Sequence, residues 1–245
     1  MTVPENTPPA AVVAALEQLA RLSLREHTLE SVLQTVVDLA ERVLPGDLGT
    51  SVTLVVDGRP STPSSSSPLA LTLDREQYRR GQGPCLHAAV TGELVEIAET
   101  ATEQRWAGWC RAAEGHGVGS SLSVPLSISE RVAAGLNVYS RETYAFGTRA
   151  QSAALQFAPF ASVAVANVHA HQDLQAMAGN LQLALGSRAV IDQAKGILIE
   201  RHRLTADQAF AALTAVSMRT NTKLRDVAER LVRTGVIDLE APGPG

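Results

Sequence analysis

The strongest constraint on this chain is one long helical stretch. From Thr148 to about Leu185 the sequence is Ala-rich, with apolar residues at helical spacing. It is interrupted only by Pro159, expected to kink the helix or start a new one, and by Gly179. The part after Pro159 alone is longer than one globular domain needs, so it is expected to connect two bodies. The 245 residues leave room for one domain of ordinary size and a small appendage. The expected layout is a helical extension over residues 1–21, a larger domain over 22–170, a connector over 171–186, a three-helix domain over 187–237 and a flexible tail over 238–245. Within the connector Leu174, Met177, Leu181 and Ala184 fall at heptad a/d spacing, so a coiled coil with a second copy, and hence a homodimer, is expected, although the run covers under two heptads.

Upstream, residues 11–44 hold two amphipathic helical patterns: Val12, Leu16, Leu19, Leu22, and then Leu33, Val36, Val37, Ala40, Leu44. Residues 50–56 are β-branched and end at the turn pair Asp57-Gly58. The Ser/Pro tract over 61–68 reads as a surface loop, and 69–73 as a strand. A helical turn through Gly83-Pro84-Cys85-Leu86-His87 follows, then strands at 94–98, 121–126 and 132–139. Pro125 and Gly135 argue for an edge or a bulge in the last two. Helices bracketing about five short strands make the larger domain α+β, without the βαβ alternation of a doubly wound sheet.

Residues 187–237 read as three helices. In the first, Val190, Ile191, Ala194, Ile197 and Leu198 form an apolar face, while Arg188, Asp192, Lys195 and His202 stack on the other side. Thr205-Ala206-Asp207-Gln208 is a capping box for the second helix, whose inward residues are expected to be Ala209, Phe210, Leu213 and Val216. Asn221 or Thr222 is expected to cap the third, with Leu224, Val227, Ala228, Leu231 and Val232 inward and Gly235 as its C-terminal glycine.

Charge singles out the same segment. The chain is -4 overall, yet residues 181–237 carry nine basic against five acidic side chains, including both lysines, Lys195 and Lys223. Arg219, Lys223 and Arg225 gather near a helix N-terminus, where the helix dipole disfavours cations and free N–H groups attract anions. That frustration fits either a solvated surface or a phosphate-binding corner, and a polyanion suits the charge. No uninterrupted apolar run approaches the ~20 residues of a bilayer span, so no membrane is expected and the protein is placed in the cytoplasm. Cys85 and Cys110 are too few for a disulfide framework or a structural zinc, and are read as reduced, half-buried thiols.

Arg188-Ala189-Val190-Ile191-Asp192-Gln193-Ala194-Lys195-Gly196-Ile197-Leu198, followed by Ala206-Asp207-Gln208-Ala209-Phe210, Ser217, Asn221 and Lys223-Leu224-Arg225-Asp226-Val227-Ala228, resembles the ANTAR domain, the RNA-binding module of bacterial antitermination regulators. Motifs in all three helices occur in order. The resemblance implies binding to paired RNA stem-loops with hexanucleotide loops, which prevents a terminator or another inhibitory structure. It carries the contact role to Arg188, Gln193, Lys195, Gly196, Arg219, Thr222, Lys223 and Arg225. Basic side chains would meet phosphates, and Gln193 and Thr222 would read splayed bases. With Phe210 read as core, base stacking falls to arginine.

The N-terminal part resembles a GAF domain of the kind joined to ANTAR modules in actinobacteria. The resemblance rests on Gly81-Gln82-Gly83-Pro84-Cys85-Leu86-His87-Ala88-Ala89, Arg105-Trp106, the run from Gly117 to Leu126, and Gly135-Leu136-Asn137-Val138-Tyr139-Ser140. It implies an antiparallel sheet with flanking helices and a pocket that in some members holds a small ligand, with no cofactor indicated here. His87 as a haem or metal ligand and Cys85 as a thiol switch each lack partners; no Lys or Arg adjoins Cys85 to lower its pKa. Both are read as packing residues, Trp106 and Trp109 as lid or core, His116 and His202 as surface groups.

Catalysis is not expected. Gly81-x-Gly83 lacks the rest of a nucleotide loop, and there is no Gly-Lys-Ser/Thr, nucleophile elbow or paired-His metal motif. Two other functions remain open at this point: a DNA-binding helix-turn-helix regulator, which the Arg219 to Thr222 turn resists, and a small-molecule-binding scaffold that uses its tail only to dimerise.

Overall fold

The computed structural model describes residues 10–23, 27–129 and 132–238. The tail expected over 238–245 therefore lies, past Asp238, outside the described residues. The chain divides into two compact units, Met1–Gln172 and Asp173–Gly245.

The first unit opens with α1 (Ala10–Ala20) and α2 (Leu29–Val43), the latter capped by Thr28, whose side chain accepts from the Ser31 N–H. β1 (Gly49–Val56) and β2 (Arg59–Ser65) form a hairpin. Asp57 and Gly58 both have positive φ, 49° and 74°, the tight-turn geometry that their sequence favours. Next come α3 (Pro68–Arg80), α4 (Pro84–Thr91), β3 (Val95–Ile97), α5 (Ala107–Gly115), β4 (Ser120–Ser127) and β5 (Val132–Ser140). The sheet is antiparallel in the order β2-β1-β5-β4-β3.

Three local expectations change, and that of an edge position for Pro125 holds. Residues 61–65 of the Ser/Pro tract belong to strand β2, not to a loop. The strand occupies the sheet edge, where Pro60 and Pro63 need supply no ladder hydrogen bond on the open side. Residues 69–73 are helix, not strand: Ser67 caps α3 by accepting from the Ala70 N–H, Pro68 occupies the first turn, and Ala70, Leu73, Asp74 and Gln77 are buried at helical spacing. Gly135 marks neither edge nor bulge. It sits in the central strand, where a Cβ would lie 3.3 Å from the Cys85 carbonyl oxygen, so glycine admits α4 against the sheet. Pro125 pairs with Gly135 at a point where, among the described residues, β4 has lost β3 as a second neighbour.

α6 (Thr148–His202) runs through Pro159 without interruption. Proline removes the N–H that would bond the Leu155 carbonyl, but both residues are exposed, so water can take that acceptor. The helix is long and apolar enough to meet the length and composition of a bilayer span. Much of that apolar character is spent inside the first unit. Phe157, Ala161, Val165 and Val168 are buried with Val36 and Val37 of α2 and with Leu122, Val124, Leu136 and Val138 on one face of the sheet. In the second unit the end of α6, α7 (Ala206–Thr220) and α8 (Leu224–Thr234) enclose a core of Ala194, Leu198, Ala209, Leu213, Val216, Val227, Ala228 and Leu231.

Truncating the largest α6 side chain in the first core tests this packing. Phe157→Ala is expected to lower stability by about 3–5 kcal/mol, and Leu155→Ala, exposed on the same helix, by about 0.5 kcal/mol or less, both read by urea denaturation.

Candidate functional site

The cationic residues of the second unit form separate groups. On α6, Asp192 lies between Arg188 at 3.8 Å and Lys195 at 3.2 Å, holding both on one side of the helix. Gln193 is turned about 140° from Arg188 by the helical pitch of about 100° per residue. With Gly196, Ile197, Glu200, Arg201 and Val232 of α8 it lines a cleft of about 570 Å3. Arg201 also donates to the Gly235 carbonyl, which ties the end of α8 to the end of α6.

The α7–α8 joint makes the other group. Arg219 donates to the Asp238 carbonyl at 2.5 Å, with the Asp238 carboxylate 3.9 Å away. Thr222 donates through Oγ1 to the Thr220 carbonyl at 3.2 Å and accepts at its own carbonyl from Ser217 Oγ at 2.6 Å. Lys223 and Arg225 are exposed and have no ion pair among the described residues. Lys223, not Asn221 or Thr222, is the N-cap of α8, and it makes no side-chain cap bond. Asn221 instead ends α7 in the left-handed region at φ 48°. The first turn of α8 thus sets N–H groups beside two cations and the Asp226 carboxylate, a net positive corner suited to an anion.

Phe210 is 46% exposed and outside the core, contrary to expectation. Ala209, Leu213 and Val216 already fill the inward side of α7, and Phe210 lies about 100° round from Ala209. It is an aromatic surface that the sequence reading missed. Gly196 is informative for the opposite reason: a Cβ there would meet nothing within 4 Å. Glycine inside a helix costs roughly 1 kcal/mol against alanine, and no packing among the described residues needs it.

In the first unit the sheet has two unlike buried faces. Val52, Leu54, Leu122, Val124, Leu136 and Val138 point into the apolar core. Ser51, Thr53, Ser121, Ser123, Asn137 and Tyr139 alternate with them on the other face and are also buried, beneath α3, α4 and α5. Their focus is Asp74 of α3. Its Oδ1 accepts from Tyr139 Oη at 2.7 Å and Asn137 Nδ2 at 3.3 Å, and its Oδ2 from Thr62 Oγ1 at 2.9 Å. Burial outweighs these bonds and pushes the carboxyl up to about 6. Burial first, and the Asp74 charge second, also raise the Tyr139 and Tyr78 phenols and the Cys85 thiol.

The remaining candidates take ordinary positions. Cys85 and Cys110 are fully buried, not half-buried, and burial pushes the Cys110 thiol up to about 11, so neither favours a thiolate. Trp109 is core, its Nε1 donating to the Leu73 carbonyl at 3.1 Å. Exposed His87 stands edge-on to Trp106, over which Arg105 lies at 4.9 Å. No cluster of three potential metal ligands occurs among the described residues.

The family model of the GAF domain matches residues 26–166, more than half of the chain, and that of the ANTAR domain follows over 179–232. The chain belongs to the GAF-ANTAR regulators. Its ANTAR domain is the RNA-binding module of antitermination proteins, and both domains are regulatory families. A comparison with curated proteins finds no significant match. Among solved structures, a domain of a two-component sensor histidine kinase from Sinorhizobium meliloti 1021 superposes with a TM-score of 0.50 at 16% identity, covering 61% of this chain and 99% of that one. The phycoerythrobilin-bound GAF domain of a cyanobacterial phytochrome gives 0.50 at 16% identity, covering 65% and 96%. At these identities the likeness establishes the GAF fold alone.

The charge of Asp74 in the GAF domain has a measurable sign. Its folded pKa lies above the unfolded value of 3.8, so the folded state holds the extra proton between about 4 and 6 and stability falls as pH rises through that window. Asp74→Asn removes the titration. Relative to this variant, the wild type is expected to lose on the order of 2–3 kcal/mol between pH 4 and 7, read by urea denaturation at each pH.

Proposed function

We propose that this chain is a cytoplasmic antitermination regulator, not an enzyme, in which the GAF domain answers a small-molecule effector and governs an ANTAR domain that binds paired RNA stem-loops as a homodimer. The observation that carries the reading is the α7–α8 joint, where exposed Lys223 and Arg225 flank the N–H groups at the start of α8 and neither forms an ion pair among the described residues, although Asp226 shares that first turn. Phosphates would dock there and along Arg188, Lys195 and Arg219. Thr222, Gln193 and the open surface at Gly196 would meet loop bases or close-lying backbone.

Dimerisation has support beyond the short run in the connector. The same heptad phase continues backward through Ala170, Asn167, Val163 and Phe160, all exposed, while Phe157, Ala161, Val165 and Val168 between them are buried. Asn167 falls at an a position, where a polar residue fixes register at some cost in stability. Two copies would present two ANTAR domains, and the second hairpin would then bind at high effective concentration.

Lys195→Ala and Lys223→Ala are each expected to weaken binding to a two-hairpin RNA about tenfold at low salt and to reduce the salt slope by about 1, measured by fluorescence anisotropy. An unchanged slope in both variants removes the cationic face from the reading. Gly196→Ala should move two quantities in opposite directions. The folded domain gains roughly 1 kcal/mol of helix stability, while RNA affinity falls because the added methyl stands where the nucleic acid approaches. A variant that is more stable and binds equally well contradicts the contact role of Gly196.

A further inference from the structure

The buried polar face of the GAF sheet holds more hydrogen-bonding capacity than the folded chain uses. Strand register sets Ser51, Asn137 and Ser123 side by side in one row, with Tyr139 and Ser121 paired in the next. Of these, Asn137 Oδ1, Ser123 Oγ and Ser121 Oγ are buried without a partner among the described residues, as is Gln77 Nε2 on α3. The two amides cannot flip to relieve this. Gln77 Oε1 accepts from the Cys85 N–H at 2.8 Å, and Asn137 Nδ2 donates to Asp74 and to Thr53 Oγ1 at 3.1 Å. What remains is one amide donor, one amide acceptor and two hydroxyls. Thr53 Oγ1 in turn contacts Cys85 Sγ at 3.6 Å, so Gln77 and Asn137 belong to one continuous cluster.

Charge narrows what such a cluster can receive. Asp74 is bonded only by neutral donors, and no Lys, Arg or His forms an ion pair with it among the described residues. A second anion would meet a buried negative charge without compensation. α4, which covers the face, has eight residues and lies between Gly81 and Gly92, both in the left-handed region at φ 66° and 74°. On its far side an open cleft of about 680 Å3 continues along the same sheet face, lined by Val55, Ala89, Pro125 and Ala133, two residues along the strands from Thr53 and Gly135.

We infer that the polar row beneath α3 and α4 is the effector site, and that it takes a neutral small molecule with a planar primary-amide head and rejects the matching carboxylate. This rests on the proposed reading that the GAF domain answers a small molecule. The head group donates to Asn137 Oδ1 and accepts from Gln77 Nε2, with Ser121 and Ser123 completing the bonds. Displacement of α4 at its flanking glycines admits it from the cleft.

The test uses the full-length protein and three probes of one shape: benzamide, benzamidine and benzoate, at equal millimolar concentration, by thermal shift and ligand-observed NMR. Benzamide is expected to raise the melting temperature by about 2 °C or more, and benzoate, and benzamidine, whose amidinium has no acceptor for Gln77 Nε2, to leave it unchanged. Gln77→Leu and Asn137→Leu are expected to abolish the shift. Should Asn137→Leu fail to fold, Ser123→Ala, which removes one hydroxyl, is expected to weaken binding at least about threefold. The inference is overturned if benzoate or benzamidine stabilises equally, if the shift survives Gln77→Leu and Ser123→Ala, or if no probe acts, in which case the row holds water alone. RNA is absent from the assay, so a chain that binds hairpins and ignores the probes overturns only this inference.

Discussion

The structure depends on the burial of α6. Phe157, Ala161, Val165 and Val168 close the apolar face of the GAF sheet, and forty residues after Phe157 the same helix supplies Ile197 and Leu198 to the ANTAR core. Neither core is complete without it. Among the described residues the ANTAR core has eight buried side chains, six of them from α7 and α8, so removing the α6 residues would leave a helix pair with too little apolar area to offset its ordering. Covalent continuity of one element through both domains is the physical basis for expecting a signal in the first to reach the second.

Within the GAF domain, the two faces of the sheet do different work. The apolar face provides stability through close packing. The polar face, equally buried, holds a carboxylate, two phenols, two amides and several hydroxyls in a space that side chains of mixed size could have filled with hydrocarbon at less cost. Such a network fixes geometry, and its unpartnered members are stated departures from the satisfaction expected of buried polar groups. On this face they are Ser121 and Ser123 of β4, Asn137 of β5 and Gln77 of α3.

Much of the architecture was legible in the residues because local chemistry and tertiary context agree. Thr205 to Gln208 forms both bonds of its capping box, Gly235 takes the left-handed position, and Asp57-Gly58 turns the first hairpin. Failures came where two local signals compete. Pro60 and Pro63 argued against a strand, and only the sheet order places them on an edge. Leu69, Leu71 and Leu73 alternate like a strand, but the Ser67-Pro68 start outweighs three residues of alternation. The site was harder. Ser51, Thr53, Ser123 and Asn137 alternate with apolar residues in the pattern of a half-solvated sheet, and nothing local tells that helices cover the polar side. Phe210 was assigned inward because aromatic residues usually are, whereas Ala209, Leu213 and Val216 take the inward side of α7 and leave the ring exposed.

The central claim is that the ANTAR surface recognises folded RNA through paired sites, and that charge alone does not account for it. The most direct measurement is the affinity of the full-length protein for three probes of equal length and charge: an RNA with two hairpins, an RNA with one, and a DNA duplex. The account requires the two-hairpin RNA to bind at least about a hundredfold more tightly than the single hairpin, as avidity between two sites implies, with the duplex weaker still. Equal affinity for all three would reduce the surface to a nonspecific polyanion binder and contradict the account.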